Sequence, residues 1–331
     1  MPDPMWLLVF VIVLALIFDF TNGWHDTANA IATVVGTRTL SPTKAIIMAA
    51  VLNFVGAFFS TEVAKTIGKE IVDPNIISNV VLVAALLAVI IWNVVTVLMG
   101  LPTSSSHALL GSLIGASVAF KGIAILKVKG IIMILIGLVI SPVIGGLLAF
   151  LIMKLIRRLF ADTAPSKVKR IFRPLQIFSS AFMAFSHGAS DAQKAMGIIT
   201  MALVATGVQS NMEVPLWVMV SAALAMALGT ALGGWKVIQT IGSRLSRLET
   251  PHGFAAETGA ALLLATIAKI GVPVSTTHTI TGSIIGVGSA ERIKSVRWSV
   301  AGKIVSAWIL TLPGTALMGY LFYLALRILE K

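Results

Sequence analysis

Six stretches of this chain, near residues 5–18, 44–60, 76–99, 130–153, 214–234 and 301–326, carry few charges or none. Several of them reach the roughly 20 apolar residues that a spanning helix needs. Inside lipid the backbone must satisfy its own hydrogen bonds, so a chain with this pattern is driven toward a bundle of helices. The overall balance agrees: 57% of the residues are hydrophobic and only 11% charged, against about 25% charged in soluble domains. The first apolar run does not read as a cleavable leader. Only Asp3 is charged ahead of it, and Asp19 and Asn22 stand where small residues would mark a cleavage site.

A net charge of +12 would suit a nucleic-acid partner, but the positions of the charges point elsewhere. Between Lys154 and Arg173 seven lysines and arginines are opposed only by Asp162. A basic loop between spanning segments is the mark of a cytoplasmic connection. No nucleic-acid partner is expected. Residues 154–173 read as a cytoplasmic linker between a first half, 1–153, and a second, 174–331, with both termini outside. The chain has no cysteine, which excludes disulfides and thiolate chemistry.

The two halves repeat one plan. Residues 100–115 read GLPTSSSHALLGSLIG and residues 271–286 read GVPVSTTHTITGSIIG, with eight of sixteen positions identical and no gap. The identities include Gly100 and Gly271, Pro102 and Pro273, Ser104 and Ser275, and His107 and His278. A weaker repeat lies upstream, where Asn22–Ala30 aligns with His187–Ala195 through Gly, Asp and Ala alone. Its placement supports it: Asp26 precedes Ser104 by 78 residues and Asp191 precedes Ser275 by 84. Each half then closes on an apolar segment containing Pro142 or Pro313. Paired halves in a membrane chain are characteristic of secondary transporters, whose substrate site lies where the repeats meet. The segment 101–120 either crosses or enters and leaves on one side, because Gly, Pro and Ser interrupt it.

Polar groups cluster in these motifs. His25, His107, His187 and His278 are four of the five histidines, and Asp26 and Asp191 are two of the few acids. An acid at membrane depth costs roughly 2.5–3.5 kcal/mol on insertion scales, so it pairs, lines a cavity or binds an ion. Thr103-Ser104-Ser105-Ser106 and Ser275-Thr276-Thr277 each follow a proline and open an apolar run. Ser and Thr cap helices, whose first turn leaves about four N–H groups unpaired. An oxyanion held between two such helix starts, on Ser104, Ser105, Ser106, Ser275, Thr276 and Thr277, would meet N–H and hydroxyl donors and the positive ends of two dipoles. The plain alternative is that these small residues only let helices pack closely.

Asp26, Asn29 and Asp191 offer hard oxygen ligands suited to Na+, or a relay for protons. Lys194, three residues after Asp191, either neutralises that acid or attracts the anion. His107 and His278 sit one turn beyond Ser104 and Ser275 and either donate to substrate or bond a neighbouring carbonyl. Asp19 is expected to cap or hinge a broken first helix. Asn53 and Asn93 read as interhelical hydrogen-bonding residues. Glu62 with Lys65, and Glu70 with Lys69, read as a solvated loop between spans.

At these motifs the chain resembles the inorganic phosphate transporter (PiT) family, in its bacterial low-affinity branch. The family's duplicated signature resembles G-A-N-D-x-A-N-A. Here the first copy reads Gly23-Trp-His-Asp26-Thr-Ala-Asn29-Ala30, with Trp24 and His25 in place of Ala and Asn. The strings NGWHDTANAIATV at 22–34 and SHGASDAQKAMG at 186–197 carry the branch resemblance, and the Pro-Ser/Thr-Ser/Thr-His hairpins also match.

The resemblance implies an all-α polytopic membrane protein of two inverted repeats, with re-entrant or broken-helix hairpins and about ten to twelve membrane segments. It implies phosphate between the two hairpins, with Lys194 beside it. Cation sites would lie around Asp26, Asn29, Asp191 and Gln193, supported by His25, His107, His187 and His278. A homodimer in the plasma membrane, with no covalent cofactor and H+ or Na+ as coupling cation, completes the picture. The second copy has Gln193-Lys194 where the animal pattern has Ala-Asn, which favours H+, with phosphate free or as a metal complex. Sulfate permeases also resemble this family.

Two other classes compete. An intramembrane hydrolase could be built on Ser104 and His107, but catalysis needs one asymmetric constellation, and this set occurs twice. No HExxH motif supports a metalloprotease. A passive anion channel could line its pore with the same helix ends, yet it gains nothing from duplicated acids.

Overall fold

The computed structural model describes residues 4–327. Thirteen α-helices occur among the described residues. The first half supplies α1 (Met5–Gly36), α2 (Pro42–Gly56), α3 (Glu62–Glu70), α4 (Asn79–Met99), α5 (Ser105–Lys121) and α6 (Val128–Leu159). The second supplies α7 (Pro165–Asp191), α8 (Gln193–Ala205), α9 (Leu216–Leu232), α10 (Trp235–Gln239), α11 (Thr250–Ile270), α12 (Thr276–Glu291) and α13 (Trp298–Leu326). Extended pairing among the described residues is confined to two isolated bridges, Val72 with Leu126 and Ser246 with Val296, which fall at matching places in the two halves.

Five helices, α1, α4, α6, α11 and α13, are long and apolar enough to cross a membrane singly. Among the described residues, α9 and the segment from Trp235 to Arg244, bent by 67°, are long and apolar enough to cross only when taken together. The expected ten to twelve segments therefore resolve into a few full-length spans with shorter and broken helices between them. On α6 and α13 the outward face is apolar, with Val139, Val143 and Leu147 and then Ile309, Leu317 and Leu321 exposed, as lipid requires. Trp6, Trp217 and Trp298 stand exposed at the starts of α1, α9 and α13, the belt position that amphipathic rings favour.

The repeated motif folds the same way twice. Gly100 and Gly271 end α4 and α11 in the left-handed region, with φ of 71° and 81°, where glycine carries no side-chain penalty. Proline follows, and then Ser104 and Ser275 cap α5 and α12. Each serine hydroxyl accepts from the backbone N–H of the histidine three residues on, at 3.1 Å in both copies. The result is two helical hairpins, α4–α5 and α11–α12.

The hairpins enter from opposite ends. Gly36 at the end of α1, Pro165 at the start of α7 and Thr250 at the start of α11 line one cavity, so the second half begins where the long first helix finishes. Each return arm then lies on the last helix of the other half. Gly111 and Gly115 of α5 meet the backbone of Leu312 and Ala316 on α13, while Gly282 and Gly286 of α12 meet Pro142 and Gly146 on α6. A side chain at any of these glycines would collide with backbone, the close approach that small residues permit in bilayers. Both apolar cores mix the halves: one joins Leu7, Leu82 and Leu110 with Met196 and Met226, and the other joins Ile31 and Ala149 with Leu264 and Ile284.

Three expectations need correction. The first helix is not broken: α1 runs for 32 residues through Asp19, which neither caps nor hinges it. Gly23 against the Met226 carbonyl and Gly229 against that of Phe20 let α1 and α9 cross without a bend. The break falls instead in the second half, at Ala192 between α7 and α8. The Glu62–Glu70 segment is the amphipathic helix α3 rather than a loop, with Lys65 at 3.1 Å from both Glu62 and Glu213. The basic stretch 154–173 is mostly helix, turning only over 160–164, and Arg157 donates to the Ala290 carbonyl at the end of α12 at 2.8 Å.

Candidate functional site

The site is assembled on the middle of α1. Asp26 Oδ1 lies 2.7 Å from His25 Nδ1, and the far nitrogen of that ring lies 3.2 Å from both the Leu101 carbonyl and the Thr103 hydroxyl. Ser105 of the first hairpin donates to Asp26 Oδ2 at 3.0 Å, and Thr277 of the second donates to Oδ1 at 3.3 Å. One carboxylate thus collects hydroxyls from both hairpins. Asn29, one turn further on, gives its amide N–H groups to Thr276 at 3.2 Å and Thr277 at 2.9 Å.

The second acid closes the cluster from the other half. Asp191 Oδ2 lies 2.9 Å from Lys194 Nζ and 3.5 Å from His187 Nε2, and it accepts from the Thr276 hydroxyl at 3.3 Å. Lys194 also donates to Ser105 Oγ at 2.7 Å. Asn53 ties this corner down, its Oδ1 accepting from His187 Nδ1 at 3.1 Å and its amide donating to the Thr230 hydroxyl at 2.9 Å. Asp26, His187 and Asp191 each place a ligand-capable atom within 4.8 Å of one another. Both carboxylates are buried. Asn29 Oδ1 and Asp191 Oδ1 have no hydrogen-bond partner among the described residues.

The hairpin hydroxyls divide their work. Ser104 and Ser275 are occupied as caps, whereas Ser105 and Thr276 accept from Lys194 and Asn29 of the opposite half and Ser106 and Thr277 donate to Val274 and Asp26 there. Ser106 donates to the Val274 carbonyl at 2.9 Å and so joins the two tips. The His107 and His278 rings lie 4.6 Å apart, with His278 stacked on Trp308 at 3.7 Å. His278 Nδ1 is 3.5 Å from the Leu138 carbonyl, so this ring turns to backbone and aromatic packing. Gln193 stands apart from the ligand set expected of it: its Oε1 accepts from Ala64 N–H at 3.1 Å and its amide donates to the Ala189 carbonyl at 2.6 Å.

One acid escaped the sequence reading. Glu257, fully buried in α11, accepts from Thr33 and Ser179, both at 2.5 Å, and from Gln176 at 3.4 Å. Gln176 in turn accepts from Thr37 at 2.9 Å and Thr39 at 2.6 Å. Asp26, Asn29 and Thr33 recur along α1 at helical spacing and Thr37 follows at its C-terminal cap, so a polar stripe runs from the central cluster toward the end of the helix near Arg38, Lys169 and Arg247. The signal was present: Glu257 is the one acid inside the apolar run of α11.

Chemically, the cluster offers carboxylate, amide and hydroxyl oxygens that suit a hard cation or a proton, beside two helix starts and an ammonium that suit an oxyanion. Every group in it is at most 9% exposed, so the cluster is buried within the bundle.

The comparisons with known proteins agree with this chemistry. The profile described as the phosphate transporter family matches residues 22–167 and again residues 160–319. The chain is 46% identical over 327 residues to a probable low-affinity inorganic phosphate transporter of Bacillus subtilis, covering 98% of each. It is 47% identical over 321 residues to one from Rhizobium meliloti, covering 96% of each. A solved structure described as the sodium-dependent phosphate transporter matches with a TM-score of 0.88 at 25% identity, over 98% of this chain and 100% of that one. The work of such a protein is phosphate transport across a membrane and not catalysis, and the chain belongs to the phosphate transporter family.

Proposed function

We propose that this protein imports inorganic phosphate by symport with a cation, H+ or Na+, through the cluster between the two hairpins. The observation that carries the reading is the double engagement of Asp26. Its carboxylate accepts from Ser105 and from Thr277, so the groups that would hold the anion are bonded to the acid that would hold the cation. Binding either ion reorders the donors available to the other, which is the physical content of coupling. Hairpins that enter from opposite ends and meet at a buried center supply two gates for alternating access.

In this reading phosphate accepts from Ser105, Ser106, Thr276 and Thr277 and is attracted by Lys194, while Ser104 and Ser275 hold the helix starts in place. The cation belongs with Asp26 and Asn29, with Asp191 completing the charge. His25 on Asp26 and the ammonium already beside Asp191 favour H+ over Na+. The end of the bundle carrying 154–173 faces the cytoplasm by the positive-inside rule, both termini face outward, and the protein works as a homodimer in the cell membrane.

Uptake of labelled phosphate into proteoliposomes, with Na+ and pH gradients imposed separately, tests the proposal. Uphill accumulation under one of these gradients is expected, with sulfate competing weakly and Mg2+ dispensable. Flux that only equilibrates would mean a passive channel, and equal competition by sulfate would mean a general oxyanion carrier.

A further inference from the structure

We propose that Lys194 is a built-in cation: its ammonium takes beside Asp191 the part that a transported cation takes beside Asp26, so the chain carries one cation fewer per phosphate than it would with a neutral residue there. This rests on the symport reading above and adds what sets its stoichiometry.

The two halves supply the comparison internally. Asn29 follows Asp26 by three residues, and Lys194 follows Asp191 by three. Asn29 spends its amide hydrogens on Thr276 and Thr277 and keeps Oδ1 unpaired, so with Asp26 it presents oxygens only. At the equivalent place Lys194 presents a positive charge. Its Nζ contacts the acid of its own half at 2.9 Å and the Ser105 hydroxyl of the opposite hairpin at 2.7 Å. A cation bound to Asp191 Oδ2 would have to take the place that this ammonium fills.

A purely structural ion pair would need only the first contact. The second makes the difference, because Ser105 passes its own hydrogen to Asp26 at 3.0 Å. Ammonium, hydroxyl and carboxylate therefore form one line joining both acids, and Lys194 is 2% exposed, so water does not share its charge. A buried ammonium is tolerated only when paired, and this one is tethered to α8 and cannot be released with substrate. With the histidines neutral and the buried Asp19, which makes no hydrogen bond to this network, left outside the count, Asp26, Asp191 and Lys194 sum to a single negative charge before phosphate binds. One mobile cation balances it; with a neutral residue at 194, two would be needed.

The test is the number of cations carried per phosphate, read from the membrane potential at which net flux in proteoliposomes vanishes. Wild type, Lys194→Asn, Lys194→Arg and the double variant Asp191→Asn with Lys194→Asn are compared. The count is expected to rise by one in Lys194→Asn, whichever cation supplies it, and to stay at the wild-type value in Lys194→Arg and in the charge-balanced double variant. An unchanged count in a transporting Lys194→Asn protein would overturn the proposal, and so would a raised count in the double variant. If Lys194→Asn does not assemble, Lys194→Gln, closer in length to lysine and equally neutral, is measured in its place, with the same expected rise of one and the same overturning result. Absence of phosphate uptake by wild type would instead refute the symport reading, so the two failures are distinguishable.

Discussion

Ser106 donates its hydroxyl to the Val274 carbonyl at 2.9 Å, a bond from the first turn of one hairpin's return arm to the unwound backbone of the other. The carbonyl lies between α11 and α12, where no helix supplies it with a donor. In this arrangement the bond fastens the tips of the two hairpins together.

Replacing Ser106 by alanine leaves that buried carbonyl unpaired, a penalty of about 1–3 kcal/mol that falls on the closed state. Open conformations should gain correspondingly. Because the chain has no cysteine, a single cysteine at Leu109, buried on α5, reports the opening directly. Its alkylation should be about tenfold faster in the Ser106→Ala background, the factor that 1.4 kcal/mol represents. Equal rates in the two backgrounds would show that this bond does not hold the gates.

Ser105 stands between the two ions' ligands, accepting from Lys194 and donating to Asp26. Hydrogen bonds to charged groups contribute about 1.5–3 kcal/mol, so Ser105→Ala should raise the phosphate KM by about tenfold or more. The same variant should need a higher concentration of the driving cation. The sequence alone assigned phosphate and cation to separate residue sets; the geometry predicts that they move together. A KM shift with an unaltered cation activation curve would contradict the shared network.

The hairpins, the two acids and the duplication were legible because each depends on local chemistry. Gly100 and Gly271 needed left-handed φ, Ser104 and Ser275 needed a histidine N–H three residues on, and both sets repeat in step. What stayed illegible depends on partners far along the chain. Nothing near Asp19 says that α1 continues through it, since the glycine contacts that keep it straight come from α9. Gln193 reads as a ligand until Ala64, 129 residues earlier, takes its oxygen. Glu257 was overlooked for the opposite reason: it has no counterpart in the first half, where Leu86 holds its place relative to the repeated serine.

The crossed packing of the return arms makes a symmetric prediction. Gly115→Val on α5 and Gly286→Val on α12 each drive a side chain into the backbone of the other half's last helix, at Ala316 and Gly146. Overpacking of this kind costs about 1–3 kcal/mol or more, so both variants should unfold at clearly lower temperature in detergent. Gly302 on α13 provides the control, since a Cβ there meets nothing within 4 Å, and Gly302→Ala should melt with the wild type. A glycine variant on α5 or α12 as stable as that control would mean the arms do not lie on these helices.

Glu257 gives the last prediction. Its two oxygens divide their donors, Oε1 taking Thr33 and Gln176 and Oε2 taking Ser179, so one carboxylate ties α1, α7 and α11 together. The knot sits on the α1 stripe between Asn29 and a cavity of about 420 Å³ lined by Thr37, Arg38, Lys169 and Arg247. In the symport reading, phosphate released toward the basic end passes between the helices that the knot joins. Glu257→Gln keeps the shape but replaces one acceptor oxygen by an N–H₂ group, so either Thr33 or Ser179 faces a donor instead of an acceptor. A mispaired buried group costs about 1–3 kcal/mol, and the loss weakens the closed arrangement at this end alone. Proteoliposomes loaded with labelled phosphate and given no cation gradient should therefore leak faster with the variant, while gradient-driven accumulation falls. Ordinary efflux with normal accumulation would show that Glu257 is packing between helices and no part of the gate.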